Sequence, residues 1–463
     1  MKKAIKIVFP VILVFVASSV FAACNNRVVQ NEASSNIGEQ SGASGNVLKG
    51  ERGYTIRVAS MFTGADPFLE VWHEVLSDFK KRYPHITVID EATPAAGDAF
   101  KTKINTDFAS GNEPDVTFGF NGNIGDPICR SGKVITWEEE LEKDPQWAEN
   151  FYPDALESSR WMGKLYCLPF FGSFEGVWIN KDLFEKNRLK IPETYNDILA
   201  SIPVFKSQGI APIVCSFLEE PHYLIETFIL SSGGKEGHAN PFDPSWVKGL
   251  NHIKELYDIG AFNEDSLAIK QSEAVDRFVN KKAAMFIGGS WSAGKIKDEE
   301  NTAIITLPPM PNSNMDPRDI IGVIGEGWYL TKALNKEKEG AGTKFIKYMT
   351  RPEIMDKYAA IGGTPCIKNT VKIDTPMRQS FTNFLNMANS MNRPLGDTIN
   401  QESFITLWQG LSYVVTGKMT AEQLIEDARK TADKRVIGDG RLCENRFCTV
   451  RSAFPRLDLL LKF

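Results

Sequence analysis

Residues 54–88 read YTIRVASMFTGADPFLEVWHEVLSDFKKRYPHITV. Tyr54, Ile56 and Val58 alternate with Thr55 and Arg57, the two-residue period of a half-buried strand. Thr63-Gly64-Ala65-Asp66-Pro67 has the composition of a loop. Phe68, Trp72, Val75 and Phe79 then recur at the spacing of one helix face, and Tyr83-Pro84 stops the helix. Ile86 and Val88 begin a second strand. A strand, a helix and a strand in this order predict a parallel pair, because the crossover helix returns the chain to the same end of the sheet.

Working outward, the pattern recurs. Strands are expected at 115–118, 283–287 and 304–307, alternating with helical stretches. Thr194 with Asp197 forms a capping-box pattern that predicts a helix over 195–207, and Thr420 with Gln423 opens the last helix. Gly119, Gly122 and Gly125 around Phe120-Asn121 read as a loop at a strand end. The chain has 463 residues, more than the roughly 250–300 that one core supports, so two lobes are expected. The fold class is α/β. A net charge of −5 carries no basic excess, which argues against a nucleic-acid binder. No GxSxG elbow, HExxH helix or phosphate-cradling GK[ST] loop is present, and the five histidines do not cluster. Neither an enzyme nor a metal or cofactor site is expected.

The N-terminus indicates a compartment. Lys2, Lys3 and Lys6 precede an apolar run over 7–16, too short for a spanning helix, which needs about 20 residues. This is the pattern of a secretory signal. Val20-Phe21-Ala22-Ala23-Cys24 resembles a bacterial lipobox, with Phe21 where leucine is usual. The resemblance implies cleavage before Cys24 and lipid attachment to its sulfur, so 1–23 is the signal and Cys24 the lipidation site. Residues 24–52 are polar and rich in Gly, Ser and Asn, a flexible tether. The expected place is the extracellular face of the cell membrane. Cys129, Cys167, Cys215 and Cys366 show no metal-ligand spacing.

From about Tyr54 to Ile437 the motifs follow the order of a known family. They are the helix–proline–strand segment from Phe79 to Val88, Ser110-Gly-Asn-Glu-Pro-Asp-Val116 and Gly163-Lys-Leu-Tyr-Cys-Leu-Pro169. Trp178-Ile-Asn-Lys-Asp-Leu-Phe184 comes next, then Glu220-Pro-His-Tyr223 and Ser232-Gly-Gly234. Phe278-Val-Asn-Lys-Lys-Ala-Ala-Met285 follows with Gly288-Gly-Ser-Trp291, and Lys281 stands where glycine is usual. Pro308-Pro309 and Gly362-Gly-Thr-Pro365 complete the series. The chain resembles the family 1 extracellular solute-binding proteins, the maltose-binding-protein type. That resemblance implies a two-lobe periplasmic-binding-protein fold, type II-like, with a hinge and an interlobe ligand cleft. It places the N-lobe at 53–170 and 308–352 and the C-lobe at 177–303 and 353–438, with crossings near 171–176, 303–308 and 351–353.

The implied function is capture of a sugar, with an oligosaccharide first, and delivery to the permease subunits of an ABC importer by a monomeric lipoprotein. Sugar C–H faces pack on aromatic rings while hydroxyls need paired polar groups. Matching positions nominate Trp291, His222, Tyr223 and Trp408 in the C-lobe. From the N-lobe come Phe62, Thr63 and Asp66, then Phe120 and Asn121 after the Pro-Asp-Val strand. Asp66 has a second possible role, capping the helix after Pro67. Phe171, Ser173 and Glu175 fall at the first crossing, and Glu326 and Trp328 in Gly325-Glu-Gly-Trp328. A peptide or polyamine ligand, or a sensor role beside a surface receptor kinase, are the alternatives. Residues 439–463 depart from the family pattern and read as an atypical tail.

Overall fold

The computed structural model describes residues 53–95, 99–333, 335–368 and 375–438. The signal segment, Cys24, the tether and the 439–463 tail lie outside the described residues. Ten strands form one sheet: β1 (Tyr54–Ala59), β2 (Ile86–Asp90), β3 (Val116–Gly119), β4 (Leu168–Asn180), β5 (Ala211–Val214), β6 (Ala283–Gly289), β7 (Thr302–Ile305), β8 (Asp319–Leu330), β9 (Thr364–Pro365) and β10 (Ser390–Asn392). Their order is β2-β1-β3-β8-β4-β6-β5, with β10 on β8 and with β7 and β9 on β4. The opening unit forms as its periodicity predicts. Ile56 lies opposite Val88 in a parallel pair, and the helix Leu69–Arg82 buries Trp72, Val75 and Phe79.

Two large cores flank the middle of the sheet. The first gathers Trp72, Phe118, Phe170, Trp328, Phe345 and Tyr358. The second gathers Phe228, Trp246, Met285, Leu407 and Leu411 among others. A smaller cluster around Phe174, Trp178, Phe286, Phe381 and Phe384 sits against the same sheet. Burying a side chain of this size stabilises by roughly 1.5–3 kcal/mol.

Two of the passages between the halves run inside strands. β4 gives Phe170 and Phe171 to the first core and Val177 and Ile179 to the second. β8 returns beside it, antiparallel, from Ile321 opposite Glu175 to Trp328 opposite Leu168. The crossing expected near 303–308 therefore falls in β8, because Leu307 and Met310 still pack in the second core. The segment expected to begin the second lobe at 353 forms a helix, Pro352–Ala359, whose Ile354, Met355 and Tyr358 pack in the first core together with Ile367. The third passage therefore does not fall at 351–353. Paired strands suit a passage of this kind, since they satisfy their backbone N–H and C=O groups along its whole length.

Local chemistry sets the helix starts. The Thr194 hydroxyl accepts the Asp197 N–H at 3.2 Å, and the Asp197 carboxylate accepts the Thr194 N–H at 2.8 Å. Thr420 and Gln423 exchange the same pair of bonds. Of the glycines read as a strand-end loop, Gly119 ends β3, while Gly122 and Gly125 lie in a short helix, Gly122–Arg130. Gly122 takes φ +69°, a region glycine enters without strain, and a Cβ there would meet the Asp397 carbonyl. The Tyr329 hydroxyl donates to the Phe120 carbonyl at 2.8 Å and lies against Gly125, which packs this turn tightly.

Candidate functional site

β4 is buried along its entire length, and its apolar run is interrupted by Ser173 and Glu175. Alternate residues of a strand face one way. Phe171, Ser173 and Glu175 accordingly line one cavity of about 360 Å³ that opens between the two large cores. This lies within the range of roughly 300–1,000 Å³ usual for small-molecule sites.

One wall comes from the ends of β1 and β3 and the loops after them, through Thr63, Asp66, Phe120 and Asn121. Ligands of open α/β sheets bind beyond the carboxyl ends of parallel strands. Asp66 holds both of its expected positions. Its Oδ1 accepts the Phe68 N–H at 2.8 Å, starting the helix, and its carboxyl borders the cavity, where burial pushes its pKa up to about 7. Asn121 is 2% exposed, and neither side-chain amide atom has a protein partner.

The opposite wall carries His222 and Tyr223 at the start of the helix His222–Ala239, and Trp408 in the helix Gln401–Val415. Burial and the charge of Lys101 lower the His222 pKa to about 3, so its imidazole is neutral. Trp291 follows β6 in a short 3₁₀ helix, Ser290–Lys295. Its ring packs against the first core while Tyr223 packs against the second, and the two rings lie 5.4 Å apart. These side chains thus join the walls. Gly289 makes room for Trp291, since a Cβ on Gly289 would collide with the indole ring.

Carboxyls crowd the floor. The Ser173 hydroxyl donates to Glu326 at 3.1 Å, and burial pushes the Glu326 pKa up to about 8. Glu175 is raised well above the carboxylate range by burial and then by Glu226 beside it. Glu226 is 0% exposed, its Oε2 accepts the Leu395 N–H at 2.8 Å, and burial pushes its pKa up to about 8. Asp397, two residues on from Leu395, is raised to about 6 by burial, partly offset by Arg393 and Lys101.

Twelve of the fourteen nominated ligand-binding residues line this cavity. Phe62 and Trp328 do not. Both are 0% exposed in the first core, where Trp328 stacks on Trp72 with centroids 6.1 Å apart. Each is one of a run of large residues, and the neighbours Met61, Thr63 and Glu326 border the cavity instead. Lys101, Gln271, Asp397 and Phe404 line it as well and were not nominated. Lys101 sits on a helix with no motif. Asp397 follows Pro394-Leu395-Gly396, and a carboxyl after a turn was the only available signal. Lys101 Nζ lies 5.4 Å from the Phe120 ring centroid and 5.9 Å from that of Phe404, between the two walls.

A family model described as bacterial extracellular solute-binding protein matches residues 65–356. The chain belongs to this family. The matched segment includes Asp66, Phe120, Asn121, His222, Tyr223 and Trp291, together with β4 and β8, but not Thr63 or Trp408. An ABC transporter extracellular-binding protein of Pyrococcus horikoshii is 30% identical over 268 residues, covering 55% of this chain, and the chain spans 61% of that relative's length. The multiple sugar-binding protein of Streptococcus mutans is 24% identical over 316 residues, 65% of this chain and 73% of that protein. Among solved structures, a chitin oligosaccharide binding protein superposes with a TM-score of 0.74 at 20% identity, over 82% of this chain and 98% of the other. At that identity the superposition shows the fold, which is the two-lobe α/β architecture expected of a solute-binding protein. Among the described residues no group of His, Cys, Asp or Glu is arranged to hold a metal ion, and no helix is long and apolar enough to cross a membrane. The arrangement can enclose a polar solute between flat rings and converging polar groups.

Proposed function

We propose that this solute-binding protein captures an oligosaccharide in the interlobe cleft and delivers it to the membrane permease of an ABC importer. The observation that carries the reading is the cavity itself. Trp291, packed against the first core, and Tyr223, packed against the second, present neighbouring rings, and Glu326, Asn121 and His222 bring polar atoms to the same space. Rings cover sugar C–H faces with little entropy loss, and the polar groups read hydroxyls. The sugar-binding name of the Streptococcus relative and the oligosaccharide in the name of the structural neighbour agree with it. Closure of the halves about β4 and β8 would enclose the ligand.

The location follows from the N-terminal motif. A lipidated Cys24 and the polar tether would hold a monomer at the extracellular face of the cell membrane, beside its permease. Each buried methylene of the lipid adds about 0.8 kcal/mol, so two chains anchor firmly.

A thermal-shift screen tests the ligand class. A solute at 100 times its Kd stabilises by about 2.7 kcal/mol. Saccharides of several linkages and lengths are expected to raise the melting temperature. A shift with peptides or polyamines and none with any saccharide would replace the sugar reading.

A further inference from the structure

The floor of the cleft gathers carboxyls and leaves some buried polar atoms without a protein partner. Glu175 and Glu326 border the cavity there, Glu226 lies directly behind Glu175, and Asp397 closes the side. Tyr223 stands among them, with Glu220, Glu175, Glu226 and Glu326 all acting on its hydroxyl. The strongest influences on Glu175 are burial and other carboxyls, Glu226, Glu220 and Asp397, with no cation among them. Two further lysines line the cavity but sit elsewhere. Lys295 pairs with Asp276 at 3.4 Å, and Lys270 is exposed. Lys101 acts on Glu226, Glu326 and Asp397.

A separate observation points to a ligand. Asn121 is not an acid, and at 2% exposure its Oδ1 and Nδ2 have no protein partner although the residue lines the cavity. Glu175, at 6% exposure, likewise keeps Oε2 without a protein donor. Buried polar atoms of this kind are costly unless something hydrogen-bonds to them. The missing partner must bring donors to Asn121 Oδ1 and Glu175 Oε2 and an acceptor to Asn121 Nδ2, which a hydroxyl of the same ligand can supply, at a place where positive charge is also favourable. A hydroxyl brings one donor and no charge. A protonated primary amine brings three donors and a positive charge.

We propose that the solute is an oligosaccharide carrying a free amino group, and that its ammonium is held on the cleft floor by Glu175, Glu326 and Asn121. The proposal rests on the sugar reading above and narrows it. On the aromatic side the ligand packs as any sugar would. On the floor its ammonium lets Glu175 ionise beside Glu226, since a bound cation offsets the repulsion between the two carboxyls. The Ser173 hydroxyl fixes the Glu326 carboxyl through its 3.1 Å hydrogen bond, so that group is already oriented when the ligand arrives.

Isothermal titration of the full chain, purified in mild detergent, tests this with matched probes. These are glucosamine oligomers with free amines, the same oligomers N-acetylated, neutral glucose and xylose oligomers, and spermidine. Acetylation removes charge and two donors while keeping the ring. The free-amine oligomer is expected to bind at least tenfold tighter than its acetylated form, and Glu175→Gln is expected to bring that ratio close to one. Glu326→Gln should reduce the same ratio, which covers the case of a Glu175 variant that does not fold. An acetylated or neutral oligomer that binds as tightly as the free amine overturns the proposal and leaves the sugar reading standing. Binding of spermidine with no saccharide bound overturns both, and binding of nothing in the panel overturns the amino-sugar proposal alone.

Discussion

The first core and the cleft are built from the same kinds of residue. In the core, Trp328 lies 5.3 Å from Phe118, 5.6 Å from Phe170 and 5.8 Å from Phe345, ring to ring, with no exposure. In the cleft, Tyr223 and Trp291 lie 5.4 Å apart and His222 lies 5.3 Å from Phe404, at similar spacings, but carboxyls and an open cavity face them. The two environments meet within single strands. Trp328 and Glu326 are two residues apart on β8, about 6–7 Å along a strand, yet one is sealed in the core and the other borders the ligand space. On β4, Phe171 touches both, and Ser173 and Glu175 belong to the cleft. The core rings of β3, β4 and β8 are sealed within the sheet's packing, whereas the cleft rings stand on helices beside the cavity.

Four experiments would break or sharpen this division. The largest effect is expected at the sealed end. Trp328→Ala should cost about 3–5 kcal/mol of stability, read by chemical denaturation, while the folded fraction binds ligand with native affinity. Weaker binding with unchanged stability would move Trp328 into the site. At the cleft end the order reverses. Trp291→Ala should lower affinity by roughly 2 kcal/mol, about thirtyfold, with a smaller change in denaturation midpoint. Titration calorimetry on this variant checks it, and native affinity would remove the residue from the site.

The third experiment addresses why Trp291 stands where it does. Gly289→Ala puts a methyl where the indole lies, so the ring must move. About 1 kcal/mol of affinity should be lost, with a changed tryptophan fluorescence spectrum. An unchanged spectrum would show that the ring does not depend on the glycine. The fourth experiment concerns Asp66. Burial raises its pKa from 3.8 to about 7, so between about pH 4 and 7 the folded chain binds a proton that the unfolded chain has released. Stability from this group is therefore present at low pH and lost as pH rises through 7. Asp66→Asn, which can still accept the Phe68 N–H, should flatten the fall in melting temperature between pH 5 and 8. An unchanged slope would assign the fall to other groups.

Much of the fold was legible because it is set locally. The strand and helix of 54–82 follow from their periods, and the helix starts at Tyr195 and Ala421 follow from side chains three residues apart. The passages were harder to place. Nothing local marks β8 as a strand that crosses between the halves, because its pairing partner, β4, lies about 150 residues earlier in the chain. The site divides in the same way. His222, Tyr223 and Trp291 stand in motifs, so their positions could be named. Lys101 and Asp397 stand in none, and they reach the cleft only because their elements pack beside Phe120 and Phe404.

The sequence alone determined an α/β chain of two lobes, the family, and a supply of rings and carboxyls at the strand ends. Each of these follows from short-range pattern or from motif order. Only the tertiary structure decided that Trp328 packs while Glu326 faces the cleft, that Trp291 and Tyr223 join the walls, and that Glu175 meets Glu226. Those outcomes depend on which residues long-range pairing brings together and on how deeply each is buried. The same pairing sets the burial that raises the carboxyl pKa values and leaves Asn121 without a protein partner.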